Sequence, residues 1–163
     1  MEKLNGLKDL YIHELKDLYS AEEQILQALP AMAEVSQHLT LKDAFKRHEH
    51  LTREHVSRLE AIADELGVNL KGHTCNGIEG IIKEAEALIK ANDRDLRDAG
   101  LIATAQRVEH YAIASYGTTR ALAQRAGHER ACMLLQQTLD EEEETGRQLT
   151  KIAEEIVTPK AMS

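Results

Sequence analysis

Apolar residues return every three or four positions through four long stretches of this chain, and each stretch sets an ionisable residue inside its own apolar stripe. Such spacing is the mark of an amphipathic helix, whose stripe must be buried against a neighbour. Residues 44–60 show the pattern most plainly. Ala44, Phe45, Leu51, Thr52, Val56 and Leu59 form a stripe that continues through Ile62, Ala63 and Leu66, with His48 and His55 inside it. Positions seven apart share a helix face, so both imidazoles are expected to point at whatever this helix packs against. His50 and Glu54 fall on the solvated side.

The first helix reads over residues 4–37, with Leu7, Tyr11, Leu15, Leu18, Ile25, Leu29 and Met32 inward, Glu22 among them, and Glu14 at the wet edge. Pro30 removes one backbone hydrogen bond and predicts a kink or a break. The second helix, residues 40–66, starts at a loose capping box of Thr40 and Asp43 and stops at Gly67. Residues 68–77 read as a loop in which His73 and Cys75 give only a weak metal signal. A shorter helix follows over 78–91, with Ile78, Ile81, Ile82, Ala85, Leu88 and Ile89 apolar. The fourth helix, 94–125, turns Leu101, Ile102, Ala105, Val108, Ala112, Ile113, Tyr116 and Ala123 inward, with Glu109 in the same stripe and His110 at the surface; Gly127 ends it. The last helix, 128–157, carries Ala131, Leu134, Leu135, Thr138, Thr145, Leu149, Ile152 and Ile156 and stops at Thr158-Pro159. Of the acidic run 140–144, only Glu142 fits its inner stripe; the rest reads as a solvated face.

Composition points the same way. With two prolines, one phenylalanine and no tryptophan in 163 residues, the chain reads as one all-α domain spanning 1–163. A net charge of −8 without any basic block argues against nucleic acid and against anionic membranes. The charged N-terminus and the lack of any run of about 18 apolar residues lead to a cytoplasmic expectation, in which Cys75 and Cys132 stay thiols.

Glu22, His48, His55, Glu109 and Glu142 therefore all sit on faces that must be buried, and their heights agree. A turn near residues 38 and 39 sets Glu22 beside His55, and one near 126 and 127 sets Glu109 within a turn of Glu142; each pair is 33 residues apart. This is a two-helix unit used twice. Burying one carboxylate costs on the order of several kcal/mol unless something compensates, and three at one level also repel each other. The stripes hold no Lys or Arg, Arg120 being the nearest candidate. A divalent or trivalent metal held by carboxylates and imidazoles is the economical answer, as in di-iron and di-manganese bundles. Tyr11, Tyr19 and Tyr116 read as packing residues whose hydroxyls find partners.

The segments LYIHELKDLYSAEEQILQALPAMA, GIEGII, DAGLIATAQRVEHYAIASYGTTRALA and LLQQTLDEEEETGRQLTKIA resemble, over nearly the whole chain, the YciE/YciF family of ferritin-like bacterial stress proteins. The VEHY-x-IA-x-YG stretch is the most specific. The resemblance implies a ferritin-like four-helix bundle with an additional short helix in the crossover, a homodimer, and a dinuclear metal centre similar to that of rubrerythrin. By position, Glu22, Glu109 and Glu142 fall on the family's inward carboxylates, His48 matches its pattern, and His55 occurs in many members. Two positions depart: Ala112 stands where the family often has a second Glu after VEHY, and Leu51 near a common inner Glu of the second helix. Each departure removes an oxygen ligand, which leaves a histidine-richer, mononuclear or degenerate centre open.

The expected function is iron-carboxylate redox chemistry with peroxide or dioxygen, with one or two iron ions, or manganese, on Glu22, His48, His55, Glu109 and Glu142. The alternative is a non-enzymatic helical stress protein with a degenerate or purely structural metal site. Iron storage would need a hollow shell that nothing in the sequence specifies.

Overall fold

Short turns decide how the long helices meet. The computed structural model describes residues 4–157, with side chains through residue 155. It arranges them as α1 (Leu7–Val35), α2 (Leu39–Leu66), α3 (Asn76–Ile89), α4 (Arg94–Arg125) and α5 (Glu129–Ile152), followed by a π-type turn over Ala153–Val157. The expected stop at Thr158-Pro159 and the side chain of Ile156 lie outside the described residues. Residues 36–38 fold α2 back on α1, and residues 126–128 fold α5 back on α4. α2 also packs on α5, and α1 on α4, which closes a ring of four; α3 lies against α1 and α4 outside the ring. The fold is the expected all-α four-helix bundle with a short crossover helix. Among the described residues no helix is long and apolar enough to cross a membrane.

The helix ends follow local chemistry in most places. Gly67 (φ 64°) and Gly127 (φ 75°) adopt the left-handed conformation that closes α2 and α4. In each case the following amide reaches back into the last turn, Val68 N to Ala63 O and His128 N to Ala123 O, both at 3.0 Å. Asp93 caps α4 by accepting from Leu96 N at 2.9 Å.

Two local expectations fail for identifiable reasons. Thr40 and Asp43 form no capping box, because α2 starts earlier, with His38 at the N-cap and no side-chain cap of its own. The turn is held from across the bundle instead. The buried carboxylate of Asp98 on α4 accepts from Gln37 N at 3.0 and 3.1 Å and from His38 N at 3.0 Å. That clamp puts the starts of α2 and α4 at the same end of the bundle. Of the kink or break expected at Pro30, the break does not occur: α1 runs on through it. Its side chain is exposed, so the gap in the hydrogen-bond ladder falls on the solvent side of the helix, where it costs least.

Buried apolar side chains fall into two separate groups. One gathers Ile25, Leu29, Phe45, Ile78, Leu101 and Leu149 towards the Asp98 end; the other gathers Tyr11, Leu15, Leu59, Ile62, Tyr116 and Leu135 towards the opposite end. Between them runs a belt of buried polar groups, and this belt holds every inward Glu and His that the stripes single out.

Candidate metal centre

Four helices supply the belt. Glu22 comes from α1, His48 and His55 from α2, Glu109 from α4 and Glu142 from α5; none is more than 3% exposed. His55 Nδ1 stands 3.2 Å from Glu22 Oε1 and 3.4 Å from Glu142 Oε1. His48 Nδ1 stands 3.3 Å from Glu109 Oε1, and its Nε2 lies 3.7 Å from Glu142 Oε2. The five side chains thus form two sets of three, Glu22–His55–Glu142 and His48–Glu109–Glu142, each with donor atoms within 4.8 Å of one another.

Glu142 belongs to both sets, one oxygen facing each. The sequence places the carboxylates at one depth; the structure spreads them over two. The cause is the seven-residue step from His48 to His55, about 10 Å along α2, which Glu142 spans from the opposite helix.

The donor chemistry fits a metal. Both oxygens of Glu109 and of Glu142, Glu22 Oε2, His48 Nε2 and His55 Nδ1 are buried without a hydrogen-bond partner. Buried polar atoms are normally satisfied, and orphans clustered at one place, all of them lone-pair donors, are what a bound cation would satisfy. Without one, the charges must settle among themselves. Burial disfavours a charged His55, yet Glu22 and Glu142 outweigh it and its pKa is pushed up to about 10. Burial and the facing Glu142 push Glu109 well above the ordinary carboxyl range. Glu142 goes the other way: burial opposes its charge, but the nearby His48 and His55 imidazoles hold it low.

A second layer orients these groups. Tyr116 OH donates to Glu22 Oε1 at 2.6 Å, and burial with the Glu22 charge keeps this phenol protonated far above its usual range. The far nitrogen of His55, Nε2, meets Glu141 Oε2 at 3.0 Å. Glu141 in turn takes two bonds from Arg58, at 2.7 and 3.0 Å, and Arg58 also donates to Thr138. Although part burial opposes its charge, Arg58 and His55 hold the Glu141 carboxyl below its ordinary range. A carboxylate on the far nitrogen of a ligating imidazole fixes which nitrogen faces the centre.

The partnered hydroxyl of Tyr116 is as the sequence reads it, but the rest of this layer is missed. Glu141 reads as part of a solvated acidic run, and the arginine bonded into the cluster is Arg58 rather than the expected Arg120. One signal was there to find: Arg58 lies three residues from His55, hence on the same face. Other expectations meet mixed outcomes. His50 and His110 are exposed as read, whereas Glu14 is half-buried, its pKa raised by burial and by Asp17. Tyr19 finds Glu60 at 3.2 Å, but Tyr11 has a buried hydroxyl with no partner. His73 and Cys75 meet on one aspartate: His73 Nε2 lies 2.9 Å from Asp17 Oδ1, and Cys75 Sγ lies 3.2 and 3.1 Å from Asp17 and Tyr111. Both cysteines are free.

An antiparallel ring of four helices with a long crossover and a core belt of glutamates and histidines defines a ferritin-like bundle with groups that could hold a metal ion. Comparison with known proteins gives the chain its family. Residues 6–162 match the family described as Domain of unknown function (DUF892), and the chain belongs to this family. Protein YciF of Escherichia coli (strain K12) is 40% identical over 160 residues, covering 97% of this chain and 96% of that protein. The crystal structure of the E. coli stress protein YciF superposes with a TM-score of 0.91 at 39% identity, over 96% of this chain and 100% of that one. The YcfI protein of Rhodopseudomonas palustris gives a TM-score of 0.88 at 37% identity, over 93% and 98%. A protein of Xanthomonas campestris pv. campestris, 18% identical with a TM-score of 0.76 over 94% of each chain, shares the fold.

Proposed function

We propose that this protein is an iron-carboxylate redox protein that consumes peroxide or dioxygen under stress, with two metal ions that Glu22, His48, His55, Glu109 and Glu142 would hold. The observation that carries the reading is the pair of three-residue sets sharing Glu142, with seven orphaned donor atoms turned inward. Iron bound there supplies electrons to the oxidant. The chain's own residues do the rest. Three carboxylates offset the metal charge, while Tyr116 and Glu141 fix Glu22 and His55 in place. Glu109, whose carboxyl favours its protonated form in the metal-free cluster, stands where a proton can be released as metal is taken up. A slot of about 20 Å³, walled by Ile25, Leu29, Ile82 and Val108, borders His48 and Glu109. It has room for a molecule the size of water. The description of E. coli YciF as a stress protein agrees with a protective role.

Leu51 and Ala112 favour a second reading, a non-enzymatic bundle whose metal is structural. Leu51 is half-buried and Ala112 fully buried, and neither supplies an oxygen to the cluster. Elemental analysis of protein purified with iron present, with optical spectra before and after peroxide, separates the two. The redox reading expects close to two irons per chain and a spectral change on peroxide addition that is absent in Glu109→Ala. Bound metal without any response to peroxide leaves the structural reading. We also propose a homodimer in solution. A large shell by sedimentation would move the function to iron storage.

A further inference from the structure

Far from the metal centre, the opposite end of the bundle holds a cavity of about 500 Å³ among the ends of α1, α2, α4 and α5. Tyr11, in its wall, is eleven residues before Glu22, or about 16 Å along α1. We propose that this cavity is a binding site for a small carboxylic acid with an apolar body.

Four observations build the site. First, Tyr11 is 2% exposed and its hydroxyl has no hydrogen-bond partner. Across from it, His128 Nδ1 is also buried and unpartnered, with the two rings 5.7 Å apart. Both atoms belong to residues that line the one cavity, and a ligand with hydrogen-bonding oxygens is what would satisfy them together.

Second, Lys8 lies one turn from Tyr11 and Arg125 one turn from His128, both in the cavity wall. Neither has an ion-pair partner among the described residues. The wall's acid, Glu65, is engaged by Arg130 at 3.4 Å.

Third, the N-terminal turns of α1 and α5 carry positive charge towards this end, offset in their first turns by Asp9 and Glu129 alone. Gly6 of α1 and His128 of α5 place no side-chain cap on their helices, while the carbonyl ends of α2 and α4 are closed by the turns at Gly67 and Gly127. Fourth, Leu7, Ile12, Leu66 and Leu122 complete the wall, and Leu7 at its edge is 59% exposed. A carboxylate between the Lys8–Tyr11 and Arg125–His128 pairs, with a hydrocarbon body on these four aliphatic side chains, uses every one of these features.

The test is calorimetric titration of the metal-free full chain with octanoate, octanol and octylamine, which share one apolar body and differ in charge. Octanoate is expected to bind with a Kd below about 1 mM and about tenfold more tightly than octanol, with octylamine weakest. Tyr11→Phe should weaken octanoate about tenfold without lowering the unfolding temperature, since it removes a hydroxyl that has no partner. The surface double variant Lys8→Glu with Arg125→Glu should reverse the preference to octylamine. No heat with octanoate up to about 10 mM overturns the proposal, and that includes a cavity covered by a second copy of the chain. So does octanoate binding that the double variant leaves unchanged. Glu109→Gln should bind octanoate like the parent, which keeps this result separate from that of the metal centre.

Discussion

Replacing Glu109 with Gln separates what the buried cluster costs the fold from what it gives a metal. Glu109 is fully buried, its two oxygens have no hydrogen-bond partner, and Glu142 faces it. A polar atom left in that state costs about 1–3 kcal/mol. The Gln amide keeps the shape, carries no charge and offers a donor to the Glu142 carboxylate. The metal-free variant is therefore expected to be more stable than the parent by about 1–3 kcal/mol, or roughly 2–12 °C in Tm for a chain of this length.

Metal should reverse the order. A metal present at about 100 times its Kd adds about 2.7 kcal/mol to the form that binds it. Glu109→Gln removes a carboxylate from the His48 set, so the parent gains more than the variant. The assay is urea unfolding followed by circular dichroism at neutral pH, for both proteins, with chelator and with anaerobic Fe(II). Lower metal-free stability in Glu109→Gln would refute the reasoning, because the cluster would then not be strained without a cation. An unchanged midpoint for the parent on adding Fe(II) would refute it equally.

Three further outcomes follow from the geometry. Glu141→Gln takes a charged partner from both His55 and Arg58, so it should cost about 1.5–3 kcal/mol of metal-free stability and weaken metal binding about 10–100-fold, read by urea unfolding and competitive chelation. The Asp17 carboxyl is partly buried, which opposes its charge, but hydrogen bonds from Tyr111, His73 and Cys75 prevail and hold it below the ordinary range. Its stabilisation is accordingly complete above an unfolded-state pKa of about 3.9 and is lost as pH falls through the lower native value; urea midpoints should lose that acid-side slope in Asp17→Asn. Phe45, 1% exposed in the apolar group nearest Asp98, should lose about 3–5 kcal/mol on replacement by Ala in the same assay.

The inward positions of Glu22, His48, His55, Glu109 and Glu142 were legible because helical spacing alone decides which face a residue takes. A polar residue in an apolar stripe has nowhere else to point. The even 33-residue interval made their meeting readable as well, since each hairpin turns at a place marked by its own loop. What spacing could not show was the second depth. Glu142 reaches both His48 and His55 only because a glutamate has two oxygens and α5 crosses between two turns of α2, a matter of helix packing. Glu141 was hidden for a different reason. Its neighbours in the run 140–144 are acidic whichever way they face, so only the opposite helix, through His55 and Arg58, shows that it points inward. Asp98 was missed although it lies one turn before Leu101 and so on the same inner face; its partners are backbone amides of a distant turn, which carry no side-chain signature.

The two apolar groups on either side of the belt give this arrangement its physical sense. Seven orphaned donor atoms stand in the middle of the core. At about 1–3 kcal/mol each they represent a strain of the same order as the whole stability of an ordinary domain, about 5–15 kcal/mol. A bundle can carry that only if the strain is local and removable. The apolar groups around Phe45 and around Leu59 make it local, because each packs four helices together without help from the belt. Protons on His55 and Glu109 remove part of it, at the expense of a charge pattern set by burial. A cation at each of the two depths would relieve the rest, because the orphaned atoms are the lone pairs it would take. The same belt would be a defect in a purely structural bundle, where Leu or Met at these five positions would pack without strain.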